Sequence, residues 1–350
     1  MNILFLGDTH QGTTSWQRYM ALQRLGHSVT AINPKDYLQK EFNNKLLNKF
    51  HYAFGYSFVQ KKMHKIVSDI KNENVLYDFI FVNSGELLGP AIIKTLKLSG
   101  VPIVLYNNDD PTGKRDANRF KQVRAALGIY DLVIVRIEKE EEEFKKFGTK
   151  NLMKVYMSYD EVIHKPIDGN DPVIEQYKSD VAFVGTWIRA EKRDDFMSKL
   201  IGADIPLSIW GGRWPKSLKW PVIQPHYKGG ALGGKNYAAA IQGAKISLGL
   251  LSKANRDQHT RRSVEIPFSG GLLCAERTPI HTAMYKEWEE AVFWDSAEEC
   301  IEVCKKLLAD DALRERIRQG GMLKVRELKV GNEDVLQKMI DELYRLNLLK

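Results

Sequence analysis

The sequence predicts an α/β protein built from two doubly wound domains, each a parallel sheet with helices on both faces. Three observations carry this. Short apolar runs alternate with amphipathic stretches along the whole chain, which is the pattern of β-α-β units. Several of the apolar runs end in Gly or Asn, at Gly7, Asn83, Asn107, Gly185 and Gly211, the polar turns that follow parallel strands. The alternation also stops at a polar Gly/Pro break near residue 167 and resumes beyond it. For 350 residues this fits two domains of roughly 150–200 residues each.

The first half opens with an apolar run, Ile3 to Leu6, and a polar loop, Gly7-Asp8-Thr9-His10-Gln11-Gly12-Thr13-Thr14. An amphipathic helix is expected from Ser15 to Leu25, with Ser15 as its N-cap, Trp16, Met20 and Leu25 turned to the core, and Gly26 as its stop. A strand, Val29 to Ile32, follows. Next come a strand over 79–82 ending in Asn83-Ser84-Gly85-Glu86, a helix over 90–98, and a strand over 102–106 ending in Asn107-Asn108-Asp109-Asp110-Pro111. A helix over 119–127, a strand over 132–135, a charged helix over 138–147 and a strand over 152–157 complete an N-terminal domain spanning 1–166.

The break Ile167-Asp168-Gly169-Asn170-Asp171-Pro172 predicts a linker over 167–175. The C-terminal domain, 176–330, starts with a strand over 181–184 ending in Gly185-Thr186 and a helix over 192–200. A strand over 207–210 ends in Gly211-Gly212. A helix over 237–244, a strand over 246–251, a short helix over 260–267, a strand over 271–275 and a helix over 297–308 follow. Residues 331–350 are expected to form a helix that packs back towards the N-terminal domain. Ligands of such sheets bind beyond the strand C-termini, so a cleft between the domains is the expected site.

Composition narrows the function. Three cysteines, Cys274, Cys300 and Cys304, give no disulfide framework and suit a reducing compartment. No apolar run is long enough to span a bilayer, and the first residues lack the basic n-region of a signal peptide. A cytoplasmic protein is expected. The net charge of +8 is spread along the chain. Residues 1–170 carry 24 Lys and Arg against 19 Asp and Glu, so no nucleic-acid partner is expected. No G-x-x-x-x-G-K-[ST] occurs, which excludes a P-loop ATPase. The pair Cys300 and Cys304, at i, i+4 without a nearby His, reads as a helix core face.

The densest chemistry lies in Asp257-Gln258-His259-Thr260-Arg261-Arg262-Ser263-Val264-Glu265-Ile266-Pro267-Phe268-Ser269-Gly270-Gly271. Arg261 and Glu265 share a helical face. A carboxylate at a helix start accepts ribose hydroxyls, and guanidiniums or helix N–H groups hold a diphosphate. An intrahelical ion pair between Arg261 and Glu265 is the alternative.

This block resembles the spore-maturation CgeB-like glycosyltransferases, a branch of the group-1 superfamily with the GT-B fold. So do Ala182-Phe183-Val184-Gly185-Thr186 with Lys192 and Arg193, Ile209-Trp210-Gly211-Gly212-Arg213-Trp214, and Glu276-Arg277-Thr278. The match is best over 180–330. It implies two Rossmann-like domains and sugar transfer from a nucleotide-diphosphate sugar, with retention, in cell-surface or capsule polysaccharide biosynthesis. The donor is a co-substrate, and no cofactor or metal is implied. Retaining relatives carry Glu-x7-Glu. Glu265 stands at the second, ribose-holding position, and the first is Asp257, a shorter acid, with Arg256 or His259 as the alternatives beside the donor sugar. The resemblance groups Glu265, Gly185, Thr186, Lys192, Arg193, Arg261, Arg262, Gly211, Ser269 and Gly270 as the donor site. Stabilising the departing diphosphate needs fixed cations. Of Arg189, Lys192, Arg193, Arg261 and Arg262, at least two are expected on the solvated surface: Arg189 and one of the pair Arg261 and Arg262.

Gly7, Asp8, Gly12 and Asp109 are expected on the acceptor side. His10 is a general base, a hydrogen-bond partner of the acceptor, or a loop cap. Asn and Asp before Pro111 shape turns, so no metal is assigned there. Residues 40–65 interleave lysines with Phe42, Phe50, Tyr52, Phe54, Tyr56 and Phe58. They touch anionic lipid at the inner membrane face, guide an anionic acceptor, or form a helix pair whose aromatics fill the core. The acceptor is a glycan or a lipid-linked molecule. The alternatives to a transferase are a non-catalytic nucleotide or glycan binder of the GT-B fold and a nucleotide-sugar epimerase.

Overall fold

The computed structural model describes residues 1–71 and 75–350. The chain divides into two compact units: residues 1–156 together with 332–350, and residues 157–331. The first boundary lies ahead of the expected 167–175 linker. Asp171 caps a short helix, Pro172–Gln176, by accepting from the Val173 N–H. The Gln242 side chain bridges Ile167 N and O, so the polar break is folded into the second unit.

The first unit holds β1 (Asn2–Leu6), β2 (Ser28–Ile32), β3 (Phe79–Asn83), β4 (Ile103–Tyr106), β5 (Leu132–Arg136) and β6 (Leu152–Val155). They form one parallel sheet in the order β2-β1-β3-β4-β5-β6. Alternate residues serve opposite faces. Leu4, Leu6, Ile80, Val82 and Leu105 join one core. Ile3, Phe5, Phe79, Phe81 and Val104 join the other. The C-terminal helix Asn332–Arg345 closes that second face with Val335, Leu336, Met339, Ile340 and Leu343.

The helix Thr14–Arg24 departs from expectation at its start and on its buried face. Thr13 is the cap, its hydroxyl accepting from Trp16 N at 3.1 Å. Ser15 lies inside the first turn, and Ser15, Arg18, Ala21 and Leu22 are buried, whereas Trp16, Met20 and Leu25 are only half-buried. The face is rotated because Arg18 is drawn inward: it donates to Asn83 Oδ1 at 2.9 Å and stacks on the Tyr106 ring at 4.0 Å.

The second unit holds β7 (Ser179–Val184), β8 (Leu207–Trp210), β9 (Tyr227–Gly229), β10 (Ala244–Gly249), β11 (Leu273–Glu276) and β12 (Val292–Trp294). This sheet is also parallel, in the order β12-β11-β10-β7-β8-β9. The sequence predicts neither β9 nor β12, each only three residues long. Val181, Phe183, Leu207, Ile209, Ile246 and Leu248 build its core, which also takes in Cys274, Cys300 and Cys304. Among the described residues no helix is long and apolar enough to cross a membrane.

Candidate functional site

In the second unit the loops after β7 and β8 lock together. Gly185 N donates to Trp210 O at 2.8 Å, Gly211 N to Gly229 O at 2.9 Å, and Trp187 N to Gly212 O at 2.9 Å. Backbones approach so closely here that a Cβ on Gly211 would sit 2.0 Å from Gly185 O, at a φ of +147°. No side chain fits. The fully buried Trp214 donates its indole N–H to the same Gly185 carbonyl at 2.8 Å.

Two guanidiniums pin these strand ends. Arg193 is buried and donates to Thr186 O at 2.8 Å and to Leu251 O at 3.2 Å. Burial, and next the charge of Arg262, lower its pKa. Arg262 donates from Nε to Val184 O at 2.6 Å. Arg261 reaches Glu265 at 2.7 Å. Neither member of the pair Arg261 and Arg262 is a solvated surface residue, because the strand-end carbonyl and the Glu265 carboxylate draw them in. Arg189 is exposed, as expected, and Lys192 is exposed as well.

The helix Arg262–Phe268 carries Glu265, which is buried. A polar net sets the helix in place. Thr260 N donates to Ser263 Oγ at 3.0 Å, and Ser263 Oγ lies 2.7 Å from His281 Nε2. His281 Nδ1 lies 2.6 Å from Glu276 O, so that nitrogen holds the proton and Nε2 accepts from Ser263. Tyr285 Oη donates to Ser263 O at 2.8 Å.

Around Glu265 the charge is closely managed. Arg261 and His164 Nε2 lie 2.7 and 3.4 Å from Oε1, and Tyr237 Oη donates to Oε2 at 2.8 Å. Burial alone would raise this carboxyl. The Arg261 charge, the adjacent His164 ring, the Arg262 charge and the Tyr237 hydrogen bond outweigh burial and hold it below its usual range. His164 Nδ1 accepts the Asp160 N–H at 2.8 Å, which leaves the proton on Nε2, beside Glu265. Burial lowers the His164 pKa. Ser269 is fully buried and donates to His164 O at 2.9 Å. Gly270 O accepts from Arg318 at 3.2 Å. Ser269 therefore supports the net from behind. The sequence does not point to His164 and Tyr237, which are distant along the chain and share no motif with Glu265.

Asp257 is half-buried in the loop before this helix, its Oδ1 accepting from Asn255 Nδ2 at 2.9 Å. Its negative charge is felt at Arg193. Cationic strand ends beside a held carboxylate suit a phosphorylated, hydroxyl-bearing ligand.

In the first unit a cavity of about 200 Å³ lies beyond the ends of β1 and β3, where the strand order reverses. Gly7, Asp8 and Asp109 line it, as do Arg18, Lys35, Glu86 and Arg119. A Cβ on Gly7 would meet Ser15 Oγ at 2.6 Å, so glycine lets the helix start close to the strand. Asp8 accepts from Lys35 Nζ at 2.9 Å and lies 2.8 Å from His10 Nδ1. These contacts overcome burial and hold its carboxyl below the usual range. Arg119 donates to Glu86 at 2.6 Å and lies 3.4 Å from Asp109. Gly12 and His10 are exposed and do not line the cavity; the His10 ring touches Asp8 at 2.8 Å and Asn33 at 3.1 Å, which do.

Residues 192–340 match the family model described as glycosyl transferase-like. No curated protein matches the chain. Among solved structures the chain is similar to Anabaena HepE in complex with UDP and glucose, at 12% identity over 99% of this chain and all of that one, with a TM-score of 0.69. A sucrose-phosphate synthase from Thermosynechococcus elongatus is 15% identical over 99% and 98% of the two chains, with a TM-score of 0.69. A Rickettsia africae glycosyltransferase is 13% identical over 97% of each, with a TM-score of 0.65. The fold is that of the GT-B glycosyltransferases.

Proposed function

We propose that the chain, a glycosyltransferase by its fold and by the match over 192–340, moves a sugar from a nucleotide-diphosphate sugar to a glycan or lipid-linked acceptor. The reading places it in the CgeB-like branch, with retention of configuration, in cell-surface or capsule polysaccharide synthesis at the inner face of the membrane. The observation that carries it is the Glu265 carboxylate, buried, ionised and oriented by Arg261, His164 and Tyr237 inside the matched region. UDP and UDP-glucose, which HepE binds, are the first ligands to test.

In this reading Glu265 takes a ribose hydroxyl. Three neighbours already occupy about three of a carboxylate's four lone-pair positions, so one hydroxyl is held and not both. Arg193 and Arg262 spend N–H groups on strand-end carbonyls but keep their positive charge, which faces the departing diphosphate together with Lys192. No metal is assigned a part. Asp257 lies towards the sugar. The cavity over Gly7, Asp8 and Asp109 takes the acceptor, with His10 acting through Asp8.

Thermal-shift titration with UDP, GDP, CDP, CMP and dTDP tests the donor side, followed by transfer assays with the sugar form of the nucleotide that binds. Stabilisation by one diphosphate and turnover of its sugar are expected. The Asn255 bond to Asp257 favours one second reading, a non-catalytic binder: nucleotide binding without donor turnover would select it.

A further inference from the structure

Five of the six Phe and Tyr residues of 40–65 divide into two sets. Tyr56 is buried, and Phe42 stacks on it with ring centroids 5.9 Å apart. Phe50, Phe54 and Phe58 do the reverse. They are 44%, 51% and 64% exposed and pack on one another at 4.7, 5.3 and 5.6 Å. Leu46, one turn before Phe50 on the helix Lys45–Ala53, is 80% exposed. The core-filling alternative therefore holds for Phe42 and Tyr56 and fails for this stripe.

The stripe sits on a firm base. Asn44 caps the helix by accepting from Leu46 N and Leu47 N, and Tyr52 Oη donates to Asp116 at 2.5 Å. Gln60 bonds to Leu87 O and to Gly89 N across to the next helix. Nothing here leaves the phenylalanines exposed for want of a fold. Lys45 and Lys49, also i, i+4, run parallel to Leu46 and Phe50 and are exposed. Residues 42–68 contain no Asp or Glu, and Glu41 just before them is paired with Lys62 at 3.2 Å.

We propose that this stripe is a docking surface for an anionic phospholipid bilayer. Phe50, Phe54, Phe58 and Leu46 enter the headgroup–acyl boundary, and Lys45 and Lys49 meet lipid phosphates. The chemistry that selects this occupant is an apolar ridge on a helix that carries lysines and no acidic residue. A second copy of the chain fits poorly, since a two-fold contact would bring lysines against lysines. The inference rests on the membrane-face reading above but uses none of the donor-site residues.

The test is co-sedimentation of the full chain with vesicles of equal parts phosphatidylglycerol and phosphatidylcholine, at low and high salt. Phosphatidylcholine vesicles serve as comparison, and nucleotide-induced thermal shift is read on the same samples. Binding to the anionic vesicles at low salt is expected. It should weaken at high salt and fall about tenfold or more in F50S/F54S/F58S and separately in K45E/K49E. Each variant should keep the wild-type thermal shift. Failure of the wild type to bind overturns the inference, as does equal binding to neutral vesicles or retention in both variants. A concentration-dependent dimer that F50S/F54S/F58S abolishes, without vesicle binding, assigns the stripe to a second copy and also overturns it. Loss of vesicle binding with intact nucleotide binding leaves the transferase reading standing; absent nucleotide binding strikes that reading instead.

Discussion

Tyr237 Oη donates to Glu265 Oε2 at 2.8 Å, joining residues 28 positions apart on the helices Gly234–Gln242 and Arg262–Phe268. With Arg261 and His164 on the other oxygen, the carboxylate has a fixed charge and a fixed plane. Such a group is costly to bury alone and stable only in company, so its ligand affinity and its contribution to folding are coupled.

Replacing Glu265 with Gln keeps the shape and removes the charge. Nucleotide affinity should fall by about 10- to 100-fold, the worth of a hydrogen bond to a charged group, ~1.5–3 kcal/mol. Isothermal titration of the variant measures this directly. A folded variant with wild-type affinity removes Glu265 from the site.

Asp257→Asn should leave nucleotide affinity within about twofold and lower kcat by at least about tenfold, corresponding to ~1.4 kcal/mol or more of transition-state stabilisation. Asn255 continues to hold the side chain, so position is kept while charge is lost. The opposite split, lost binding with unchanged saturating turnover, would show that the Asp-x7-Glu register is misplaced.

Arg193→Met should destabilise the chain by about 2–4 kcal/mol, because two strand-end carbonyls, the part-buried Thr186 O and the buried Leu251 O, lose the Arg193 donor. Arg193→Lys should fall between, since one ammonium does not span both carbonyls as a guanidinium fork does. Urea unfolding midpoints rank the three proteins. A Met variant as stable as wild type contradicts the pinning role.

The pH dependence follows from His164. Its pKa is below the ordinary 6.5 because of burial, so the unfolded chain protonates first as pH falls. The stability linked to this ring is complete above about pH 6.5 and declines below it, by at most ~1.4 kcal/mol per pH unit for one proton. His164→Gln should show a shallower decline between pH 7 and 5 in urea unfolding. His27, also lowered by burial, keeps some slope in both proteins. Identical slopes would mean that His164 is not the titrating group.

The strands were legible because burial on both faces of a parallel sheet writes continuous apolar runs such as Phe79 to Val82. β9 and β12 were not, because three residues at a sheet edge carry no such run. On the site, the 257–271 block is legible as a motif, and Arg261 with Glu265 follows from helical spacing. His164, Tyr237 and Trp214 are not, since their roles come from tertiary proximity that no local period records. Ser15 was misread as a cap because Thr13, two residues earlier, has the same chemistry and the extended backbone that capping requires. Arg18 was missed because an arginine on a core-facing stripe runs against the usual hydrophobic pattern.

The return of Asn332–Arg345 to the first sheet has a consequence for biogenesis. The second unit is a guest threaded through a host: the chain leaves the host after Tyr156 and rejoins it at Asn332, and the guest's two ends run side by side, Tyr159 bridging Gly331. Ile3, Phe5 and Phe81 wait for Leu336, Met339 and Leu343 to cover them, and those are synthesised only after the whole of the guest. Although domains usually finish in order from the N-terminus during synthesis, here the guest can close while the host still has an open face. A stop codon at 332 would then damage the unit whose sheet is made before the guest.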